Sequence, residues 1–216
     1  MDILNELKIY VNSKEHSGAV LLTGSWGCGK TYLIKKFKKE IDSDEKVVLI
    51  VSLFGIDSID SLTRAIKDQI KVAIFEHNDD SEEKSKDTKK LFRNLMKVGS
   101  AFSEKMNNIN TNLSISMYEL IEINKIISCF DKFSKKEKEI ILVFDDFERS
   151  KIEIIELLGA INEYCENREI KVIIVADEAK IIIKDDNDKD VINPKYREFK
   201  EKVIQTTINL TTDYRN

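Results

Sequence analysis

The chain is poor in the residues that punctuate or cross-link a fold. It has one proline, seven glycines, three cysteines, two histidines and one tryptophan among 216 residues. So little proline and glycine excludes collagen-like and Pro/Gly-rich disordered chains. Cys28, Cys129 and Cys165 make an odd number with no CxxC spacing. That argues against a disulfide framework and suits a reducing compartment. His16 and His77 are far apart, offer no zinc site, and read as ordinary surface residues. No apolar run approaches the roughly 18–20 residues needed to cross a bilayer. The N-terminus MDILNELKIY lacks the basic flank and apolar stretch of a secretion signal. A soluble cytoplasmic protein is the expectation. Positive charge is not in excess either: 35 basic and 39 acidic residues leave a net −4. The whole-molecule field therefore gives no sign of a nucleic-acid binder.

What is present is enough apolar material for a core. Hydrophobic residues make up 42% of a chain of ordinary one-domain length, so no disulfides are needed. Many of them fall in short continuous runs: AVLLT, VVLIVSLF at 47–54, IILVFDD at 140–146 and KVIIVAD at 171–177. Such runs suit strands buried on both faces of a parallel sheet. VIQTTINL at 203–210 is a fifth strand candidate. Helical spacing of apolar residues marks 2–16, 31–41, the segment carrying Leu62, Ile66, Ile70 and Ile74, and 151–166. Ser58 or Asp60 can cap the third of these, and Pro194 can start a last helix, PKYREFKEK. Strands alternating with helices predict an α/β domain with a parallel sheet. From Glu76 to Lys90 nearly every residue is charged or polar, which reads as a linker. Beyond it, 91–106 and 119–133 read as helices, 112–119 as a short strand, and KDDNDKD at 184–190 as a polar loop.

Three of the seven glycines crowd into one stretch, Gly24-Ser25-Trp26-Gly27-Cys28-Gly29-Lys30-Thr31. It matches GxxxxGK[ST] without a gap, between an apolar strand and a helix. Glycines let a backbone turn tightly with no Cβ in the way. The loop N–H groups and the helix N-terminus then face an anion. Lys30 can reach β and γ phosphates, and Thr31 can hold Mg²⁺. The contact set expected for a nucleotide runs from Gly24 to Thr31 and on to Tyr32. The bland alternative is a glycine-rich turn that binds nothing.

The run IILVF ends in Asp145-Asp146, as a Walker B strand does. Asp145 is expected in the metal shell and Asp146 as the base that polarises water, with Glu148 ranked second for that role. Aspartate is one methylene shorter than glutamate, so Asp146 is expected to activate water less well. The alternative is a strand end closed by solvated acids. Asp177 ends the run at 171–177 and reads either as a sensor of the γ-phosphate or attacking water, or as a helix-capping aspartate. Arg149, Arg197 and Lys200 are candidate positive partners for transition-state charge, Arg197 as a finger toward a neighbouring subunit. For each, a solvated helix face is the commoner explanation. Trp26 reads as stacking on a partner or packing over its loop. Cys28 reads as a tolerated small loop residue before a redox sensor, and Tyr10 as a candidate flank for an adenine. No guanine-reading NKxD motif is present.

GSWGCGKT, VSLFGIDSID, ILVFDDFER and VIIVADE, over roughly residues 15–210, together resemble the KAP family of P-loop NTPases, relatives of the STAND and AAA+ groups. The resemblance implies a five-stranded, mainly parallel sheet ordered 5-1-4-3-2, flanked by helices. It also implies ATP with Mg²⁺ and slow hydrolysis used as a conformational switch. Several such bacterial proteins act in phage defence, often beside an effector domain. Many members insert transmembrane helices between the two motifs; here the corresponding insertion, about 76–118, is charged and too polar to span. Members also continue into a helical region, whereas this chain ends at Asn216. The expectation is one P-loop domain over 1–216, the N-terminal portion of a longer architecture and slow in isolation. Its expected partners are another copy of itself or an effector protein. A nucleic-acid-directed ATPase and a nucleotide-dependent scaffold that does not hydrolyse are the alternatives, with a small-molecule kinase behind them.

Overall fold

The computed structural model describes residues 2–14, 18–43, 45–76, 139–166, 170–184 and 190–211. Contacts divide the chain into two units, Met1–Leu62 with Lys138–Asn216, and Thr63–Glu137. The first unit holds the sheet. Its strands are β1 (Ala19–Thr23), β2 (Lys46–Ser52), β3 (Glu139–Asp145), β4 (Lys171–Ala176) and the edge strand β7 (Ile204–Asn209), in the order β2-β3-β4-β1-β7. Every pairing between them is parallel. This is the expected order 5-1-4-3-2, with β7 as the fifth main strand.

Burial explains the apolar runs. All five residues of β1 and all six of β4 are buried, because helices cover both faces of a parallel sheet. Helix α1 (Ile3–Asn12) opens on Asp2, whose side chain accepts the Leu4 N–H. It buries Leu4, Leu7 and Val11 in the same core as Ile34 and Phe37 of α2 (Lys30–Ile41) and Val20, Val143 and Ile173 of the strands. Helix α4 (Ile154–Glu166) packs on β4 and on α5 (Pro194–Val203). Asn193 caps α5 by accepting the Lys195 N–H, with Pro194 in the first turn as expected. Ser58 is the cap of α3 (Ile59–Glu76): its side chain accepts the Ser61 N–H and its carbonyl the Leu62 N–H. The second unit is described through α3, which buries Ile66 and Ile70 at helical spacing.

The tract at 184–190, expected as a loop alone, is bracketed by a small antiparallel hairpin. Strand β5 (Ile182–Lys184) pairs with β6 (Asp190–Ile192). Three-residue strands are too short to print an alternation. The helices expected at 91–106 and 119–133, the strand at 112–119 and most of the insertion lie outside the described residues, as do His16, His77 and Cys129. No helix among the described residues is long and apolar enough to cross a membrane.

Candidate functional site

The register lines up the strand ends that carry the motifs. Thr23 at the end of β1 lies beside Ala176 at the end of β4. Ser52 at the end of β2 lies beside Asp145 at the end of β3. One edge of the sheet therefore gathers the glycine loop, the acid pair and Asp177, at the C-terminal ends where open parallel sheets bind ligands.

The loop glycines are required for different reasons. Gly27 and Gly29 have φ of 79° and 98°, left-handed conformations that favour glycine. Nothing stands within 4 Å of a Cβ built on either, so the constraint there is conformational. A Cβ on Gly24 would come 2.4 Å from the Leu210 carbonyl oxygen and 2.8 Å from Cys28 Sγ; the constraint there is space. The chain leaving β7 crosses at this point, with Leu210 N–H donating to Thr23 O at 2.7 Å. Cys28, itself part of the loop, is buried, as fits its reading as a tolerated small residue. The Lys30 ammonium donates to the carbonyls of Gly24 at 2.6 Å and Ser25 at 3.1 Å. Tyr32, in the first turn of α2, is 75% exposed.

Thr31 Oγ1 donates to Asp145 Oδ2 at 3.0 Å. This bond links the start of α2, which follows β1 and the glycine loop, to the end of β3; β4 runs between β1 and β3. Asp145 Oδ1 accepts the Asp146 N–H at 2.9 Å. Burial raises the Asp145 carboxyl above its ordinary range, against the lowering effect of the Thr31 and Asp146 hydrogen bonds. A buried anion beside a hydroxyl is a hard-oxygen donor set and fits Mg²⁺. No cluster of three or more His, Cys, Asp or Glu ligands occurs among the described residues.

Asp146 does not close the strand, as the run at 140–146 had suggested. It follows β3 with φ of 58°, and among the described residues no other non-glycine has positive φ. Aspartate is among the few non-glycine residues that visit this region; here its side chain makes no cap on the turn that follows, and its N–H is held by the Asp145 carboxylate. The turn leads into a short 3₁₀ helix, Phe147–Arg149. Phe147 faces inward against Tyr196 of α5, ring centroids 6.5 Å apart. Asp146 Oδ2 accepts from Ser52 Oγ at 3.1 Å, and Arg149 Nη1 lies 3.7 Å from Asp146 Oδ1. The Arg149 guanidinium stands 5.1 Å from the Trp26 ring centroid and 3.9 Å from that of Phe54.

Glu148 is tied to β4, its carboxylate accepting the Asp177 N–H at 3.1 Å. Asp177 is buried and makes no side-chain cap on the 3₁₀ turn Glu178–Lys180 that follows it, so the capping explanation loses its support. Lys200 is paired with Glu178 at 2.6 Å, and Tyr196 donates to the same carboxylate. Arg197 is exposed on α5. Tyr10 sits at the other edge of the sheet. Its hydroxyl accepts the Val172 N–H at 3.0 Å near the start of β4 and lies 3.0 Å from the Gly18 carbonyl before β1. It is an anchor for α1 and not a flank for a base. Ser52, Phe54 and Glu178 were not singled out from the sequence. For Ser52 a signal existed: it is a polar residue ending a buried strand at the ligand edge.

A glycine loop between a buried strand and a helix, joined by a threonine to an acid two strands away, defines a nucleotide-binding domain of the P-loop NTPase class. The family description "KAP family P-loop domain" matches residues 2–216. The chain belongs to that family. No curated protein matches it.

Proposed function

We propose that this domain binds ATP with Mg²⁺ and hydrolyses it slowly, so that nucleotide state switches its association with an effector protein or another copy of itself. The observation that carries this reading is the 3.0 Å bond from Thr31 to Asp145. A glycine turn that bound nothing would have no need of a buried acid held from 114 residues away. The loop N–H groups and the start of α2 hold the phosphates. Lys30 neutralises the β and γ oxygens. Thr31 and Asp145 are the residues that would hold Mg²⁺, which supplies positive charge against the phosphate oxygens. Asp146, partly exposed and held by Ser52, orients and polarises the attacking water. Glu148, whose carboxylate is occupied by the Asp177 amide, braces the two strand ends and ranks behind Asp146 as base. Asp177 serves as sensor.

The family supports a setting in bacterial phage defence, and the odd number of cysteines supports a cytoplasmic one. The scaffold that binds without hydrolysing is favoured by one observation: Asp146 stands where a longer glutamate would reach further. Single-turnover hydrolysis with and without Asp146→Asn decides between them. Slow cleavage in the wild type is expected. In the variant it should fall on the order of a hundredfold with nucleotide affinity spared. Wild-type protein that binds ATP and leaves it intact would select the scaffold.

A further inference from the structure

Trp26 and Phe54 are large aromatics left 65% and 60% exposed. They come from different loops, Trp26 from the glycine loop and Phe54 from the turn after β2. Between them lies one cation, Arg149, within 5.1 Å of one ring centroid and 3.9 Å of the other. A guanidinium is planar and weakly hydrated, so it stacks on rings in a way an ammonium does not.

The backbone of Arg149 is pinned on both sides of this stack. Its N–H donates to the Asp146 carbonyl at 2.9 Å, and its carbonyl accepts the Gly55 N–H at 3.3 Å. Its guanidinium also lies beside the Asp146 carboxylate. Asp146 is the residue held in the left-handed turn, a conformation that persists when its surroundings over-determine it. Ser52 fixes one of its oxygens, and Arg149 stands at the other.

We propose that Arg149 is a positioning residue that orients Asp146 and, through its stack with Trp26, couples that acid to the phosphate loop. The coupling follows from the chain path. Trp26 sits next to Ser25, whose carbonyl takes a hydrogen bond from Lys30. A triphosphate entering the loop competes for that ammonium, shifts the peptide at Ser25-Trp26 and so changes the stack on Arg149. The acid that handles water thereby registers whether the phosphate site is filled. This deepens the proposed function and rests on it.

The test uses Arg149→Ala, Arg149→Lys and Phe54→Leu in the full chain. Trp26 is the one tryptophan of the chain, so its emission reports the stack directly. In wild type, emission should change on adding ATP with Mg²⁺. In Arg149→Ala that change should be lost and acrylamide quenching of the nucleotide-free protein should rise. Calorimetric affinity should stay within about twofold, and the single-turnover rate should fall about tenfold to a hundredfold. Arg149→Lys keeps the charge and loses the planar contact, so it should restore only part of the rate. Phe54→Leu keeps the arginine and frees one face of it, so it should lower the rate by less than Arg149→Ala. It also carries the test if Arg149→Ala does not fold. Variants that bind ATP and retain both the emission change and the wild-type rate would overturn the proposal. Wild-type protein with no calorimetric heat would overturn the nucleotide reading itself, and this one with it.

Discussion

Asp145 is 6% exposed, and its two oxygens accept from Thr31 Oγ1 and the Asp146 N–H. Those bonds do not offset its burial, because its carboxyl stays raised above the ordinary range. The folded chain therefore binds this proton more tightly than the unfolded chain does. The stability linked to it is present below the unfolded value and is lost as pH rises through the folded value. At neutral pH the ionised acid costs stability that a bound cation can offset. Asp145→Asn should accordingly melt at or above the wild-type temperature at neutral pH without Mg²⁺. The difference should shrink as the buffer is made acid. The same variant should lose the stabilisation that wild type gains from ATP with Mg²⁺. A variant that melts lower at neutral pH and keeps that gain would refute a metal-holding role. At this scale the sequence made the glycine loop and the acid pair readable, since both are contiguous. It did not show that Asp146 turns away from β3, because one residue of left-handed backbone leaves no period. Nor did it show the meeting of Trp26, Phe54 and Arg149, which two loops and a 3₁₀ helix far apart in the chain create.

At the scale of elements, the buried strands were the most legible part. β1 and β4 are covered on both faces, so their sequences are apolar without interruption and stand out from the alternating segments. Their ends were legible to within a residue or two, as for β3, expected at 140–146 and found at Glu139–Asp145. α1 is shorter than the expected 2–16, ending at Asn12 with Ser13 extended. The β5–β6 hairpin was missed because its three-residue strands give no pattern. Tyr10 shows what an element needs from a single side chain. Its ring lies beside Lys171, its hydroxyl bonds to Val172 near the start of β4 and to Gly18 just before β1, and burial raises its phenol above the ordinary value. Tyr10→Phe leaves the Val172 N–H without that acceptor, which should cost about 1–3 kcal/mol in urea unfolding. Affinity for ATP should not change. A loss of affinity with stability intact would return Tyr10 to the adenine.

At the scale of the whole molecule, the fold class was readable because a parallel sheet with two covered faces imposes a pattern that few other architectures share. The strand order was legible only through the family resemblance, since no local property of β7 says that it lies beside β1. The net charge of −4 gives no whole-molecule field that would draw in nucleic acid. The central claim is that this loop holds a triphosphate through Lys30. Calorimetric titration of ATP with Mg²⁺ into wild type and Lys30→Ala tests it most directly. The account predicts saturable heat at one site in wild type, and affinity at least about tenfold weaker in the variant. No heat in wild type, or the same binding curve in both proteins, would contradict it.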